Sequence, residues 1–298
     1  MSGKLKEVRE RIKSVNSTMQ VTSAMKMVAA AKLKKAQDDI VRFRPYAFRL
    51  NEMLINILTN MEGDVNTKLG VERDIKNALV VVVTSNRGLC GAFNANIIKK
   101  AEVLIHTEFK DLADSGNLDI LCIGKKGNEF FTKHYPKLNV ISDYVAAFED
   151  LSHSKISAIS NVIMRDFEDE KYDIVKVAFA RFKNAAVQYD EVEQFLPVPK
   201  IEVSDSDIKK YRSNYIFEPD KDKLLETLVP SIMHTTFRRY LLDTNASEHG
   251  ARMTAMENAT ENAKEMLSDL KLEFNKARQE SITKELLEII SGATALEG

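Results

Sequence analysis

Two amphipathic patterns, one at each end of the chain, constrain the fold more than any other feature of the sequence. Near the N-terminus an apolar stripe recurs at spacings of three and four residues, which is the seam of a coiled coil. This stripe consists of Leu5, Val8, Ile12, Val15 and Met19. A second stripe near the C-terminus follows the same seven-residue repeat. It consists of Met256, Thr260, Ala263, Leu267, Leu270, Phe274 and Ala277.

The length of these helical patterns predicts how they are used. A helix of about 55 residues is on the order of 80 Å long, which exceeds the width of any domain that the middle of the chain could build. We therefore expect the two ends to pair with each other as an antiparallel coiled coil and to project as a rod. Such a rod favours mechanical or scaffolding work over chemistry.

Composition fits this expectation. The chain has 298 residues and a net charge of -1, with only eleven Gly and six Pro, which favours long uninterrupted helices. No apolar run is long enough to cross a bilayer, and the first residues lack the apolar core of a signal peptide. Cys90 and Cys122 have no metal-ligand spacing, so we expect two buried or half-buried structural thiols in a reducing cytoplasm.

The charge of the two ends is opposite in sign. Residues 1–37 carry nine Lys or Arg against two Glu, whereas residues 243–298 carry eleven acidic against six basic residues. Opposite charges favour pairing of the two helices, although each exposed contact contributes only about 0.2–1 kcal/mol. A basic helix could instead bind nucleic acid. Because no aromatic residues interleave the basic ones, self-pairing or contact with an acidic protein surface is the better interpretation.

Five segments are predicted along the chain. They are an N-terminal coiled-coil helix (1–61, with a kink at Pro45), a polar linker (62–76), a Rossmann-like α/β domain (77–199), a connecting segment (200–221), and a C-terminal coiled-coil helix with an apolar tip (222–298, with a kink at Pro230 and an end at Gly292).

The α/β domain follows from alternating strand and helix patterns. Strands are predicted at 78–84, 118–123, 172–182 and 186–196, with helices at 94–115, 125–134 and 151–168. The first strand is a continuous β-branched run, as expected of a strand buried on both faces. The alternation predicts a mainly parallel sheet that helices cover on both sides.

The turn from Ser85 to Asn94 is the one candidate phosphate site. Gly88 and Gly91 follow the first strand directly, where a glycine-rich turn can hold a phosphate. The turn lacks the lysine of a P-loop and the third glycine of a dinucleotide fingerprint, so tight-turn glycines are the favoured interpretation. The five histidines are scattered, and no nucleophile–base pair or metal-ligand pattern can be identified. We expect no catalytic site, no metal and no cofactor.

Four separated motifs resemble the gamma subunit of F-type ATP synthases. They are residues 12–32, residues 84–94, residues 247–256 with 275–279, and residues 282–295. The resemblance covers the whole chain in the order of that family.

The resemblance implies a rotor without a catalytic site of its own. Its coiled coil would turn inside a head of alpha and beta subunits, and its α/β body would be a foot that binds the epsilon subunit and the ring of c subunits. Proton-driven rotation of the ring would then drive the catalytic beta subunits through their conformational cycle. The membrane would be contacted only through the ring, and no nucleic acid would be bound.

The resemblance also implies a set of rotor–stator contacts. Met25 with the basic Lys26 would face an acidic loop of beta at the neck of the coiled coil. The other positions are Arg252, Arg278, Gln279, Thr283 and Glu285. The absence of a presequence favours a peripheral protein on the cytoplasmic face of a bacterial inner membrane over one on the matrix side of a mitochondrial membrane.

Two other function classes remain open at this point. An α/β nucleotide-binding enzyme with dimerising helical ends would bind nucleotide stoichiometrically at Gly88 to Gly91. A structural coiled-coil protein would self-associate through its seam.

Overall fold

The computed structural model describes residues 3–59, 68–199 and 221–297. Its α-helices are α1 Gly3–Thr59, α2 Phe93–Thr107, α3 Lys110–Ser115, α4 Lys125–His134, α5 His153–Glu168 and α6 Lys221–Glu297. Its strands are β1 Ala78–Val83, β2 Leu118–Ile123, β3 Asn139–Ile141, β4 Ile174–Phe182 and β5 Gln188–Leu196. Short 3-10 helices lie at Lys68–Gly70 and Val145–Glu149.

The chain forms two compact units. The first comprises Met1–Ala30 and Arg252–Gly298, and the second comprises Ala31–Ala251. We call them the helical unit and the body. Helices α1 and α6 each contribute residues to both units.

A five-stranded sheet in the order β3-β2-β1-β4-β5 forms the centre of the body. Strands β1 to β4 are parallel, and β5 runs antiparallel to β4. All six residues of β1 are buried, as its unbroken apolar sequence predicts for a central strand covered on both faces. The prediction of a mainly parallel sheet is therefore confirmed.

Each face of the sheet packs in its own core. Val80 and Val82 share one cluster with Phe93, Ile97 and Phe131 of α2 and α4. The alternate residues of β1, such as Val81, lie on the other face, because successive side chains of a strand point in opposite directions.

The second face is covered in part by the long helices. Leu50, Leu54 and Ile57 of α1 join its core, as do Phe237 and Tyr240 of α6 and the apolar side of α5. The sequence did not predict this role. A helical stripe shows that one side of a helix must be buried, but it does not show which surface covers it.

Several element boundaries differ from those predicted. The helix expected at 94–115 is two helices, broken where Phe109 turns into the core, and Gly116 ends the second one at φ +79°. Strand β3 was not predicted, because three residues are too few for a period to show. Helix α6 continues beyond the predicted end at Gly292 to Glu297, and Pro45 and Pro230 both lie inside helices.

The linker and connecting segment are only partly visible. Residues 62–67 and 200–220 lie outside the described residues. In the remainder of the linker, Leu69 is buried against the second core. Cys90 and Cys122 are both buried and form no disulfide, which confirms the prediction for these thiols, and burial raises the pKa of Cys122 to about 12.

Candidate functional site: the paired terminal helices

The two helices of the helical unit pair in antiparallel order. The Lys4 ammonium lies 3.9 Å from a Glu280 carboxylate oxygen, and the Arg9 guanidinium stands 5.7 Å from the centre of the Phe274 ring. Nearer the other end, the Thr22 and Thr260 hydroxyl oxygens are 2.8 Å apart, and the Lys26 ammonium donates to Glu257 at 2.6 Å. Residues that come later in α1 therefore contact residues that come earlier in α6. The predicted antiparallel pairing is confirmed.

The seam between these helices is the one that the sequence predicts. On α6 five of the seven seam residues are buried, and Thr260 and Phe274 are half-buried. On α1, Leu5 and Val8 are buried, while the other three seam residues are half-buried. Two helices shield only a narrow stripe from water, so partial burial is expected along a two-stranded seam.

Three of the predicted contact residues lie at the same end of the helical unit. Met25 and Lys26 of α1 are half-buried, and the antiparallel order puts them at the end of the pair that also carries Arg252 and Glu257. The Lys26 ammonium is held by Glu257 of the same chain. We expected Lys26 to contact an acidic loop of another subunit. The ion pair with Glu257 already compensates part of the Lys26 charge within the chain.

The structure exposes three apolar side chains near Met25 that sequence reasoning missed. Val21, Met27 and Val28 lie on the water-facing side of α1, each more than half exposed. Their signal was present in the sequence, because they are apolar residues at positions that the seam does not use. They enlarge the candidate contact surface around Met25.

The remaining predicted contact residues lie at the opposite end of the pair. Arg278, Gln279, Thr283 and Glu285 are all exposed on α6. They lie roughly 30 Å or more from Glu257 at about 1.5 Å per helical residue. The structure therefore separates the predicted site residues into two groups, one at each end of the helical unit.

Beyond Glu280 the apolar side chains of α6 are exposed. Ile282, Leu286, Leu287 and Ile289 each expose about half of their surface or more. Exposed apolar surface of this extent is unusual in a monomeric protein and is typical of a binding surface. The segment predicted as an apolar tip is exposed as far as Ala293, the last residue whose side chain is described.

The glycine turn after β1 is filled by its own polar groups. The Ser85 amide donates to the Asn94 side-chain oxygen at 3.0 Å, and the Ser85 hydroxyl donates to the Arg87 carbonyl at 2.7 Å. The Asn94 amide in turn donates to the Ser85 hydroxyl at 2.8 Å, and Gly91 takes φ +62°. These contacts favour the structural interpretation of the turn over a phosphate site.

The described part of the chain holds neither a metal-ligand cluster nor a membrane-spanning helix. Among the residues that the structure describes, no three His, Cys, Asp or Glu side chains lie close enough together to hold a metal ion. In the same ranges, no helix combines the length and the apolar character that a membrane span needs.

Comparison with known proteins identifies the family. The family model described as ATP synthase matches residues 4–296. The ATP synthase gamma chain of Cytophaga hutchinsonii is 49% identical over 292 residues, which cover 98% of each chain. The chain belongs to the ATP synthase gamma chain family. The gamma chains of Flavobacterium psychrophilum (48% identity, 99% of each chain) and Chlorobaculum tepidum (43% identity, 98% of this chain and 99% of the other) are similar over the same extent.

Solved structures of the ATP synthase share the fold. A chain of the Euglena gracilis mitochondrial enzyme, in its OSCP/F1/c-ring structure, aligns with a TM-score of 0.67 at 21% identity, over 99% of this chain and 95% of the other. A chain of the central stalk and c-ring of the Tetrahymena thermophila enzyme aligns with a TM-score of 0.55 at 24% identity, over 80% and 99%. The predicted family, the predicted fold and the role of central stalk subunit are confirmed. The contacts of individual residues with other subunits stay predictions.

Proposed function

We propose that this chain is the central rotor of an F-type ATP synthase, that its paired terminal helices transmit torque to the catalytic head, and that it performs no nucleotide chemistry itself. The single observation that carries the proposal is the helical unit. Two helices lock together through a buried seam, while apolar side chains at both ends of the unit stay exposed. In an isolated protein, exposed apolar side chains of this kind favour aggregation. Inside a ring of other subunits, the same side chains can contact those subunits while the chain rotates.

The turn after β1 in the body supports the absence of a catalytic role. The glycines of the turn from Ser85 to Asn94 resemble those of a phosphate-binding turn. The polar groups of this turn, however, form hydrogen bonds with each other. Nucleotide chemistry then belongs to the beta subunits, and no cofactor is required on this chain.

The coupling mechanism needs a rotor whose faces differ. Residues 1–37 are strongly basic and residues 243–298 are acidic, so the two helices present different charge to their surroundings. A catalytic subunit that meets the basic face has a different conformational equilibrium from one that meets the acidic face. Because such coupling is reciprocal in binding free energy, the nucleotide state also biases the angle of the rotor.

The predicted site residues take two roles in this scheme. Met25, Lys26 and Arg252 would contact the beta subunits at the neck, with the exposed apolar side chains beside Met25. Arg278, Gln279, Thr283 and Glu285 would contact the head near the tip. Residues 77–199 would be the foot on the epsilon subunit and the ring of c subunits.

The location follows from these partners. The chain would lie on the cytoplasmic face of a bacterial inner membrane, in contact with the membrane only through the ring. Its relatives from Cytophaga, Flavobacterium and Chlorobaculum support a bacterial rather than a mitochondrial setting. Proton flow through the ring would supply the torque, and nucleic acid has no part in the function.

A disulfide across the seam tests whether the paired helices act as one rigid body. The Thr22 and Thr260 hydroxyl oxygens are 2.8 Å apart, so the double variant Thr22→Cys/Thr260→Cys can form a bond between α1 and α6. In the assembled enzyme we expect ATP hydrolysis and proton pumping under oxidising conditions to stay within twofold of the reduced sample. The single variant Thr22→Cys is the matched control for oxidation alone. Loss of pumping that a reductant restores would show that the helices must slide past each other.

Two measurements on the composition of the assembly separate the other function classes. The rotor requires one copy of this chain in each purified complex and no stoichiometric binding of ATP by the isolated chain. Two or more copies in contact through the seam would favour a structural coiled-coil protein. Stoichiometric nucleotide binding that Gly88→Ala or Gly91→Ala abolishes would favour the enzyme.

A further inference from the structure

A cleft of about 260 Å³ lies in the body where α1, β4 and α6 meet. Each of these three elements contributes one arginine to its lining, namely Arg44, Arg181 and Arg239. Asp243 of α6 adds a carboxyl group to the same lining. The rest of the wall is apolar and consists of Ile40, Phe43, Ala47, Phe182 and Leu242. We call this space the arginine cleft.

Two of the three arginines are paired with glutamates of β5. The Arg181 guanidinium donates to both carboxylate oxygens of Glu191 at 2.7–2.9 Å. This pair uses Nε and Nη2 of Arg181 and leaves Nη1 outside it. Arg239 donates from Nη2 to Glu193 at 2.6 Å. Because a guanidinium group has five N–H donors, both arginines can bind a further acceptor without losing these pairs.

Asp243 is the negative charge of the cleft itself. The three arginines of the cleft attract its carboxylate by their charge, and Glu193 of β5 repels it. Burial outweighs the attraction and raises the pKa of Asp243 to about 6. The carboxyl group therefore becomes neutral just below neutral pH, and the guanidinium groups then face no negative charge from Asp243.

A fourth arginine lies next to the cleft. The Arg238 guanidinium stands 5.4 Å from the centre of the ring of Phe43, which forms part of the wall. Nε of Arg238 is buried and has no hydrogen-bond partner among the residues that the structure describes. Its positive charge adds to the potential in the cleft, where apolar walls reduce the screening by water.

The size and the charge of the cleft favour a small oxyanion as its ligand. Drug-sized ligands occupy about 300–1,000 Å³, so a cleft of about 260 Å³ suits a ligand smaller than a nucleotide. Guanidinium groups bind the oxygens of phosphate with charge-assisted hydrogen bonds. A tetrahedral dianion can offer a separate oxygen to each of the three arginines. A metal cation would be repelled by the same groups.

We propose that the arginine cleft binds inorganic phosphate through Arg44, Arg181 and Arg239, and that Asp243 is protonated while the anion is bound. The anion then replaces the negative charge of Asp243 between the guanidinium groups. Its affinity falls as the pH rises through about 6, because the carboxylate must first take up a proton. This site goes beyond the rotor function and does not depend on it.

The pH dependence of sulfate binding tests the role of Asp243. Sulfate is the probe because its charge stays constant near neutral pH, whereas that of phosphate changes. In calorimetric titrations of the isolated full-length chain, we expect sulfate to bind at least tenfold more tightly at about pH 5 than at about pH 8. Asp243→Asn should bind sulfate at both pH values as tightly as the parent does at the lower one. An affinity of the parent that does not change with pH would overturn the proposal.

Arg44→Gln tests the site itself. Arg44 is exposed, so we expect the variant to fold normally and to bind phosphate at least tenfold more weakly at constant ionic strength. Arg42→Gln is the matched control, because Arg42 is also exposed on α1 but does not line the cleft. Its affinity for phosphate should stay within twofold of the parent. An equal loss in both variants, or no loss in either, would overturn the proposal.

ADP separates a small anion from a nucleotide as the ligand. In the same titrations we expect ADP to bind more weakly than phosphate, because the cleft has no room for its adenosine. ADP that binds as tightly as phosphate or more tightly, and loses this binding in Arg44→Gln, would overturn the proposal. The number of copies of this chain in the purified complex tests the rotor function separately, so either one can fail without the other.

Discussion

At the scale of single residues, several side chains and glycines are fixed by what lies next to them. Gly124 has φ +99°, and a Cβ added to it would lie 2.0 Å from the Thr84 carbonyl oxygen. Thr84 in turn accepts a hydrogen bond from the Gly127 amide at 2.9 Å, which ties the end of β1 to the start of α4. Only glycine allows this approach, because any other residue would add both a clash and an unfavourable backbone conformation.

We expect Gly124→Ala to lower the free energy of unfolding of the chain by about 3 kcal/mol, from the combined clash and backbone strain. Gly88→Ala is the matched control, because a Cβ added at Gly88 would meet nothing within 4 Å and its φ is not in the left-handed region. The control should change the free energy by less than about 0.5 kcal/mol. Urea denaturation of the two variants measures the difference, and equal midpoints would refute the close approach at Gly124.

Asp243 gives the body a dependence on pH. Burial raises the pKa of Asp243 to about 6, despite attraction by Arg239, Arg44 and Arg181. An aspartate in the unfolded chain has a pKa of about 4, so the folded state holds the proton more tightly between about pH 4 and pH 6. The stability that protonation contributes is therefore lost as the pH rises through this window.

We expect Asp243→Asn to remove this loss. The free energy of unfolding of the variant minus that of the parent should rise by about 1–3 kcal/mol between pH 4 and pH 7 and then stay constant. Denaturation series at several pH values measure it. A difference that does not change with pH would mean that Asp243 titrates alike in the folded and unfolded chain.

Met25 tests the predicted contact at the neck. Met25→Lys puts a charge on a half-buried position beside the exposed apolar side chains of α1. We expect the complex to assemble normally but to pump fewer protons for each ATP hydrolysed. Ser14→Lys adds the same charge at an exposed position three turns away and should leave pumping unchanged. Unchanged pumping in Met25→Lys would remove this residue from the contact surface.

At the scale of elements, the long helices change partners along their length. In the helical unit α1 and α6 are buried against each other, whereas in the body both contribute to the core under the sheet. Leu267 and Leu272 of α6 show how much the exposure of a leucine depends on the face of the helix on which it lies. Leu267 on the seam is 8% exposed, and Leu272, five residues later, is 68% exposed.

We expect Leu267→Ala to weaken the helical unit by about 2 kcal/mol, at the low end of the range for buried leucines because the seam is narrow. Leu272→Ala is the matched control and should change its stability by less than about 0.5 kcal/mol. Amide hydrogen exchange of residues 256–277 in the two variants measures the effect. Equal exchange rates would mean that the seam does not stabilise this part of α6.

At the scale of the whole molecule, the two units differ in what holds them together. The body has two apolar cores, one on each face of a five-stranded sheet. The helical unit has a single seam and ion pairs that are exposed to solvent, and such pairs contribute little. The chain is therefore expected to be less stable in its helical unit than in its body.

This difference predicts an order of opening in the isolated chain. The free energy of opening measured by native-state hydrogen exchange should be lower for α6 residues 256–277 than for β1 and β2. Assembly should raise the protection of the helical unit more than that of the strands, because other subunits would enclose it. Equal protection of both units before assembly would contradict this view.

Much of the site could be predicted because its signal is periodic. A heptad of apolar residues identifies both seams without knowledge of the partner, and the motifs around Met25 and Arg278 identify the family. The pairing of Lys26 with Glu257 could not be predicted, because it depends on the register of two segments that are more than 200 residues apart in sequence. The exposed residues Val21 and Val28 were missed since they look like core residues until the seam has been located.

The sequence by itself determined most of the elements, the family and the seam of the terminal helices, because local periodicity and turn residues specify which side of an element must be buried. Only the tertiary structure decided what buries it. It assigned Leu50 and Phe237 of the long helices to the core under the sheet, left Val41 and Phe48 exposed, and fixed which charges meet across the pair. The physical reason is that apolar burial is not directional, so an apolar stripe can be satisfied by any complementary surface, and the choice depends on packing that involves the whole chain.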